Sequence, residues 1–137
     1  MLFIVTSILC YDIWFYISHI LLHRKLYTYH HEHHTKINPI FLDTYKGHFL
    51  EGPFQSLGVI IPITLLNFTT FDVMSVIIFL NMRGMMRHDD RFSFLIGNHH
   101  LLHHRYSNYN FGEYWLDSLC GTEYPNKAEY KYGLLYT

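Results

Sequence analysis

The chain has 137 residues, the size of a single domain, with a formal net charge of -1 and hydrophobic residues at 50%. That balance, without a basic stripe or a nucleic-acid fold signature, excludes a nucleic-acid partner. Two features depart from ordinary composition: aromatics at 18%, and 12 histidines against 10 Lys and Arg together. Cys10 and Cys120 are too far apart in sequence for a CxxC zinc site or a disulfide framework, and read as packing residues.

The basic residues draw the map, since none falls in 1–23 or 47–82. The first gap, Met1–Leu22, carries Asp12 as its only charge. It is long enough to cross a hydrocarbon core, which takes roughly 20 residues. It lacks the basic n-region and small-residue cleavage site of a removable signal, so it is expected to remain as a membrane helix. Arg24 and Lys25 follow at once, and the positive-inside rule places that end in the cytosol.

The second gap runs from Gly52 to Met82 with Asp72 as its only charge. Pro62 and Asn67-Phe68-Thr69-Thr70 interrupt it, which predicts two short apolar helices over about 53–66 and 70–82. Neither is long enough to span, so 53–82 reads as an apolar helical hairpin that dips in and returns. Residues 23–52 and 83–137 then form polar lobes on one, cytosolic, side. The expected fold is all-α, one domain over 1–137: a membrane-embedded helical bundle under a cytosolic His-rich helical cap. A soluble helical domain is the rival, and a mean hydropathy of +0.04 does not exclude it. A single charge between Gly52 and Met82 is nonetheless more apolar than an ordinary buried helix.

The histidines fall in ordered clusters. His19 and His23 are i, i+4 on one helix face, near enough to grip one ion. In His30-His31-Glu32-His33-His34, a helix would point His30, His33 and His34 the same way. If one helix ran through from the first segment, His19, His23, His30 and His34 would form a single stripe. His100, His103 and His104 repeat the HxxHH spacing, with His88 and His48 standing alone. His31 and His99 read as extra members with packing or solvated roles.

Imidazole is a neutral nitrogen donor that suits Fe, Zn, Cu and Ni. Two ions need many ligands, and neutral ones let them change oxidation state without burying large charge. Scattered cysteines exclude a sulfur site. A carboxylate-bridged bundle would need Glu-x-x-His motifs that are missing. There is no H-E-x-x-H for a zinc hydrolase, no G-x-S-x-G, no P-loop and no G-x-G-x-x-G, so direct NAD(P)H binding is not expected.

Together these residues resemble the fatty acid hydroxylase/sterol desaturase superfamily. The run from Tyr11-Asp12 through Tyr16 to His19-Ile20-Leu21-Leu22-His23 is similar to its D-x-x-x-Y-x-x-H-R-x-x-H. Gly47-His48-Phe49-Leu50-Glu51 is similar to its H-P-x-E step. Asn110-Phe111-Gly112 followed by Trp115-Leu116-Asp117-Ser118-Leu119-Cys120-Gly121-Thr122 resembles its C-terminal signature, so the likeness covers roughly 11–122.

The resemblance implies a di-iron site held by His19, His23, His30, His33, His34, His88, His100, His103 and His104. His48 would be a further ligand or a partner to one, and Asp12, Asn110 and Asp117 would support the ligands. Zinc could replace iron in a purified protein. No catalytic residue beyond the metal site is implied. O2 would be co-substrate, cytochrome b5 and its reductase the electron donors, and a bilayer lipid (sterol or fatty acyl chain) the molecule hydroxylated or desaturated at an unactivated C–H. The endoplasmic reticulum membrane is the implied location. A short chain with incomplete spans could also dimerise. One departure stands out: four residues before His88 is Gly84, not His. A catalytically reduced metal-binding or assembly protein of the same fold is therefore the alternative.

Overall fold

The computed structural model describes residues 2–135 and is helical, with no strand among those residues. Helix α1 (Leu2–Lys25) is the long element. After it come the single turn α2 (Tyr27–His30), then α3 (Glu51–Ser56) and α4 (Ile60–Leu65) joined by a tight turn at Leu57–Val59. Helix α5 (Thr70–Arg87) follows, then α6 (Ser93–Ile96), α7 (His99–Arg105) and α8 (Tyr114–Cys120).

Three apolar segments form the base. Helix α1 and α5 run in the same direction: Phe3 packs with Val76 and Leu80, and Asp12 further along pairs with Arg83. The α3–α4 pair runs back between them, Trp14 Nε1 donating to the Phe54 carbonyl at 2.7 Å while Val59, Ile63 and Leu66 reach the Phe3 cluster. Gly58 sets how closely this segment approaches α1. A Cβ there would meet Trp14 Cβ and Tyr11 Cα at 2.8 Å, so only glycine fits. Pro53 and Pro62 each fall at the third position of their helix, where a missing N–H costs nothing.

The expected helix over 53–66 is thus two helices with a break at Gly58. The expected helix over 70–82 starts where predicted, because Thr69 and Asp72 cap each other's backbone N–H groups. It runs on to Arg87, five residues further than its apolar content suggests. Arg83 and Arg87 do not mark the return to water. Both are buried, Arg83 against Asp12 and Glu113, and Arg87 against Glu113. Paired in this way, a guanidinium can stay inside an apolar bundle.

The polarity of α1 is inverted relative to a soluble helix. Val5, Leu9, Ile13, Ile17 and Leu21, spaced four apart, are exposed, while Ser7, Asp12, Ser18 and His19 are buried. Phe71, Met74, Ile78 and Met82 make a similar outward apolar row on α5. Helix α1 is long and apolar enough to cross a membrane.

Candidate metal centre

The histidines gather where α1 and α5 end. One helix does not run through His19 to His34: α1 stops at Lys25, and the chain turns at Leu26 into α2 and a tight turn over His33–Thr35. This bend folds His30 and His34 back over His19 and His23, where a straight helix would have carried them away. Helix α7 brings in the third cluster from the other side.

Two groups result. His19, His23, His30, His34 and His103 offer nitrogens within 4.8 Å of one another, and His33, His88, His100 and His104 do the same beside them. The rings of His34 and His104, one from each group, are 4.7 Å apart. Each HxxHH box serves both groups. His30 and His34, one turn apart, join the first and His33 the second; His100 and His104 join the second and His103 the first. Residues at i and i+4 share a face, and the residue at i+3 is rotated toward the neighbouring site.

The hydrogen bonds fix which nitrogen of each ring faces inward. Nδ1–H of His19 donates to the Phe111 carbonyl at 2.5 Å and that of His103 to the Tyr109 carbonyl at 2.6 Å. His33 donates to Lys46 O at 2.9 Å, His88 to Gly84 O at 2.7 Å, and His30 to the Glu51 carboxylate at 2.9 Å. A carbonyl oxygen only accepts, so the neutral rings of His19, His103, His33 and His88 carry the proton on Nδ1 and present a bare Nε2, as does His30 when Glu51 is ionised. Yet His19 Nε2 lies 3.0 Å from His30 Nε2, and His33 Nε2 lies 2.9 Å from His88 Nε2. Two lone pairs facing at that distance repel unless a cation sits between them.

The rings are held neutral. Burial pushes His34 and His88 each down to about 3, with nearby imidazoles adding to the effect. Burial likewise lowers His30, His33, His100, His103 and His104. Nitrogens this close could share one ion through metal–nitrogen bonds of about 2.1 Å. Both buried nitrogens of His104, and Nδ1 of His34, have no protein partner. The donor set fits a metal ion in each group.

The supports come from residues far along the chain. Asn110 adopts a left-handed backbone (φ 59°), which turns the carbonyls on either side of it, Tyr109 and Phe111, toward two different histidines. Its side chain donates to His99 O and accepts from Tyr124 N and Tyr130 OH. Asp117, fully buried, accepts from Phe111 N, Gly112 N, Thr122 Oγ1 and His99 Nε2. Asn110 and Asp117 thus act on the site through the 109–112 backbone. Asp12 touches Arg83 instead of any histidine of the groups.

Like Asp12, His48 is placed differently from expectation. His48 lies outside both groups, its ring against Tyr29 and Phe49. The residue of that motif that reaches the site is Glu51, which rises from the start of α3 to His30. A GHxxE motif offers both, and the eye goes to the imidazole. The signal for Glu51 was its place at a helix N-terminus, after a loop that could fold back. Burial pushes its carboxyl up to about 8. A cation on the far side of His30 would pull it down again, so the ion and the carboxylate support each other. His99, buried on Asp117, and His31, exposed, belong to neither group.

The family model described as fatty acid hydroxylase matches residues 4–122. The chain therefore belongs to the fatty acid hydroxylase family. No curated protein and no solved structure matches it.

Proposed function

We propose that this chain is a membrane-embedded di-iron oxygenase that hydroxylates or desaturates a lipid chain at an unactivated C–H. The observation that carries the reading is the pairing of bare, neutral imidazole nitrogens about 3 Å apart in two adjoining groups. Nitrogen donors accept iron and zinc alike, and membership of the family favours iron. Iron supplies O2 activation and hydrogen abstraction; the protein supplies orientation and exclusion of competing reactions.

The nine histidines of the two groups are the ligands in this reading. Phe111 O, Tyr109 O, Lys46 O, Gly84 O and Glu51 hold five of the rings with Nε2 inward. The outward apolar rows on α1 and α5 face lipid, and inward Ser7, Asp12 and Arg83 find partners or shelter inside the bundle. The basic pair Arg24–Lys25 supports a metal end on the cytosolic side, where cytochrome b5 and its reductase would be the electron donors and the endoplasmic reticulum the membrane.

Purified in detergent, the wild type should carry two irons per chain. Expressed in yeast deficient in a lipid hydroxylase or sterol desaturase, it should restore an O2-dependent product that His103→Ala abolishes. Iron bound without any oxidised lipid would instead favour the catalytically reduced alternative, to which Gly84 in place of a tenth imidazole gives some footing.

A further inference from the structure

Two apolar grooves lie near the metal groups, and one of them adjoins a cavity lined by histidines of both groups. The larger, about 510 Å³, is bounded by Leu22, Leu26, Leu50, Pro53 and Leu57 and ends at Glu51. Glu51 meets His30 on its Nδ1 side, so this groove stops behind the ligand shell. The second, about 460 Å³, lies between the α3–α4 pair and α5, with Val59, Ile60, Ile63 and Ile77 on its walls. At its inner end it shares Tyr11, Thr44, Gln55, Leu80 and Gly84 with a cavity of about 70 Å³. That cavity is lined by His19 of the five-imidazole group and by His33, His88 and His100 of the other.

The groove and the cavity therefore share one wall, which sets an apolar surface next to histidines of both groups. The outer part, the groove, offers aliphatic walls on which an unbranched hydrocarbon arriving from the bilayer can lie without leaving an apolar surrounding. The inner part, the cavity, is small and partly polar, with Arg83 and Arg87 beside the histidines. Gly84 and Thr44 both lie in the wall shared by the two, and a Cβ on Gly84 would come to 3.3 Å from Thr44 Oγ1. Any larger side chain would project into the junction.

We propose that this groove is the binding site for the alkyl chain of the lipid, and that Gly84 is the specificity-determining residue that lets a chain pass to the metal groups. The chain lies along Ile63 and Ile77 and presents its reacting carbon beyond Gly84. The proposal rests on the lipid-oxidising reading above and deepens it.

Photolabelling tests the groove without turnover. The metal-loaded protein in nanodiscs is irradiated with a fatty acyl chain carrying a diazirine, and the adducts are mapped by mass spectrometry. Adducts on Ile63 and Ile77 are expected; adducts confined to Leu26, Leu50 and Leu57 would overturn the assignment. Gly84→Leu should retain the metal content of the wild type and lose lipid product by about 100-fold, as displacement of a reacting group does. Full turnover in that variant, with metal retained, would also overturn it. Should Gly84→Leu lose metal, Ile63→Trp decides the matter: it fills the groove far from any ligand and should abolish both adducts and product. A wild type that oxidises no lipid yet is labelled at Ile63 and Ile77 sinks the oxygenase reading and leaves the groove assignment standing.

Discussion

The two imidazole groups are cut from the same sequence boxes but are not equivalent. The first takes five rings, two of them from α1, and includes the ring backed by a carboxylate, Glu51 on His30. The second takes four, and the ring partners seen there are backbone carbonyls, Lys46 O and Gly84 O. Gly84 is also where a further imidazole would fall one turn before His88. The small cavity opens chiefly on the second group, through His33, His88 and His100. The lesson is a division of labour: one group is nearer to saturation and more strongly anchored, the other keeps room at its side.

Removing one ring from each group should expose that difference most strongly. His104→Ala leaves the second group three imidazoles and should empty it, whereas His103→Ala leaves the first group four and should weaken its ion without emptying it. Both abolish lipid product, and iron analysis after dialysis separates them. Equal loss of iron would break the comparison. Stripping iron with a chelator comes next. With lone pairs left facing one another, the metal-free protein should unfold at a clearly lower temperature, followed by size-exclusion fluorescence, and iron should restore it.

Asp12→Asn takes a partner from a buried guanidinium and should cost about 3–5 kcal/mol in stability. Its iron stoichiometry should hold, because Asp12 contacts neither group's rings. Glu51 sharpens the contrast further. Glu51→Ala should lower metal affinity in the first group by about 10–100-fold, and Glu51→Gln by less, because an amide oxygen still accepts from His30. An equal loss from the second group would show that Glu51 does not act through His30. His48→Ala should change least, with stability within about 0.5 kcal/mol and iron content unaltered.

Much of this was legible in the amino-acid order. The HxxHH spacings, the apolar reach of α1 and the Thr69–Asp72 start of α5 follow from helical geometry and capping alone. What escaped depends on contacts distant in sequence. Arg83 and Arg87 look like a cytosolic flank until Asp12 and Glu113 neutralise them across the bundle. Whether Glu51 or His48 meets His30 is decided only by the fold of the 36–50 loop. The break at Leu26 carries no proline or glycine to mark it. Carbonyls such as Phe111 O have no side-chain signature at all.

The left-handed turn at Asn110 bears on the order in which the protein is made. His19 leaves the ribosome early, yet the carbonyl that orients it belongs to Phe111, and the turn presenting that carbonyl is pinned by Tyr124 and Tyr130 near the end of the chain. A chain shortened before Tyr124 would hold its ligands but lose the contacts that pin the turn aiming His19 and His103.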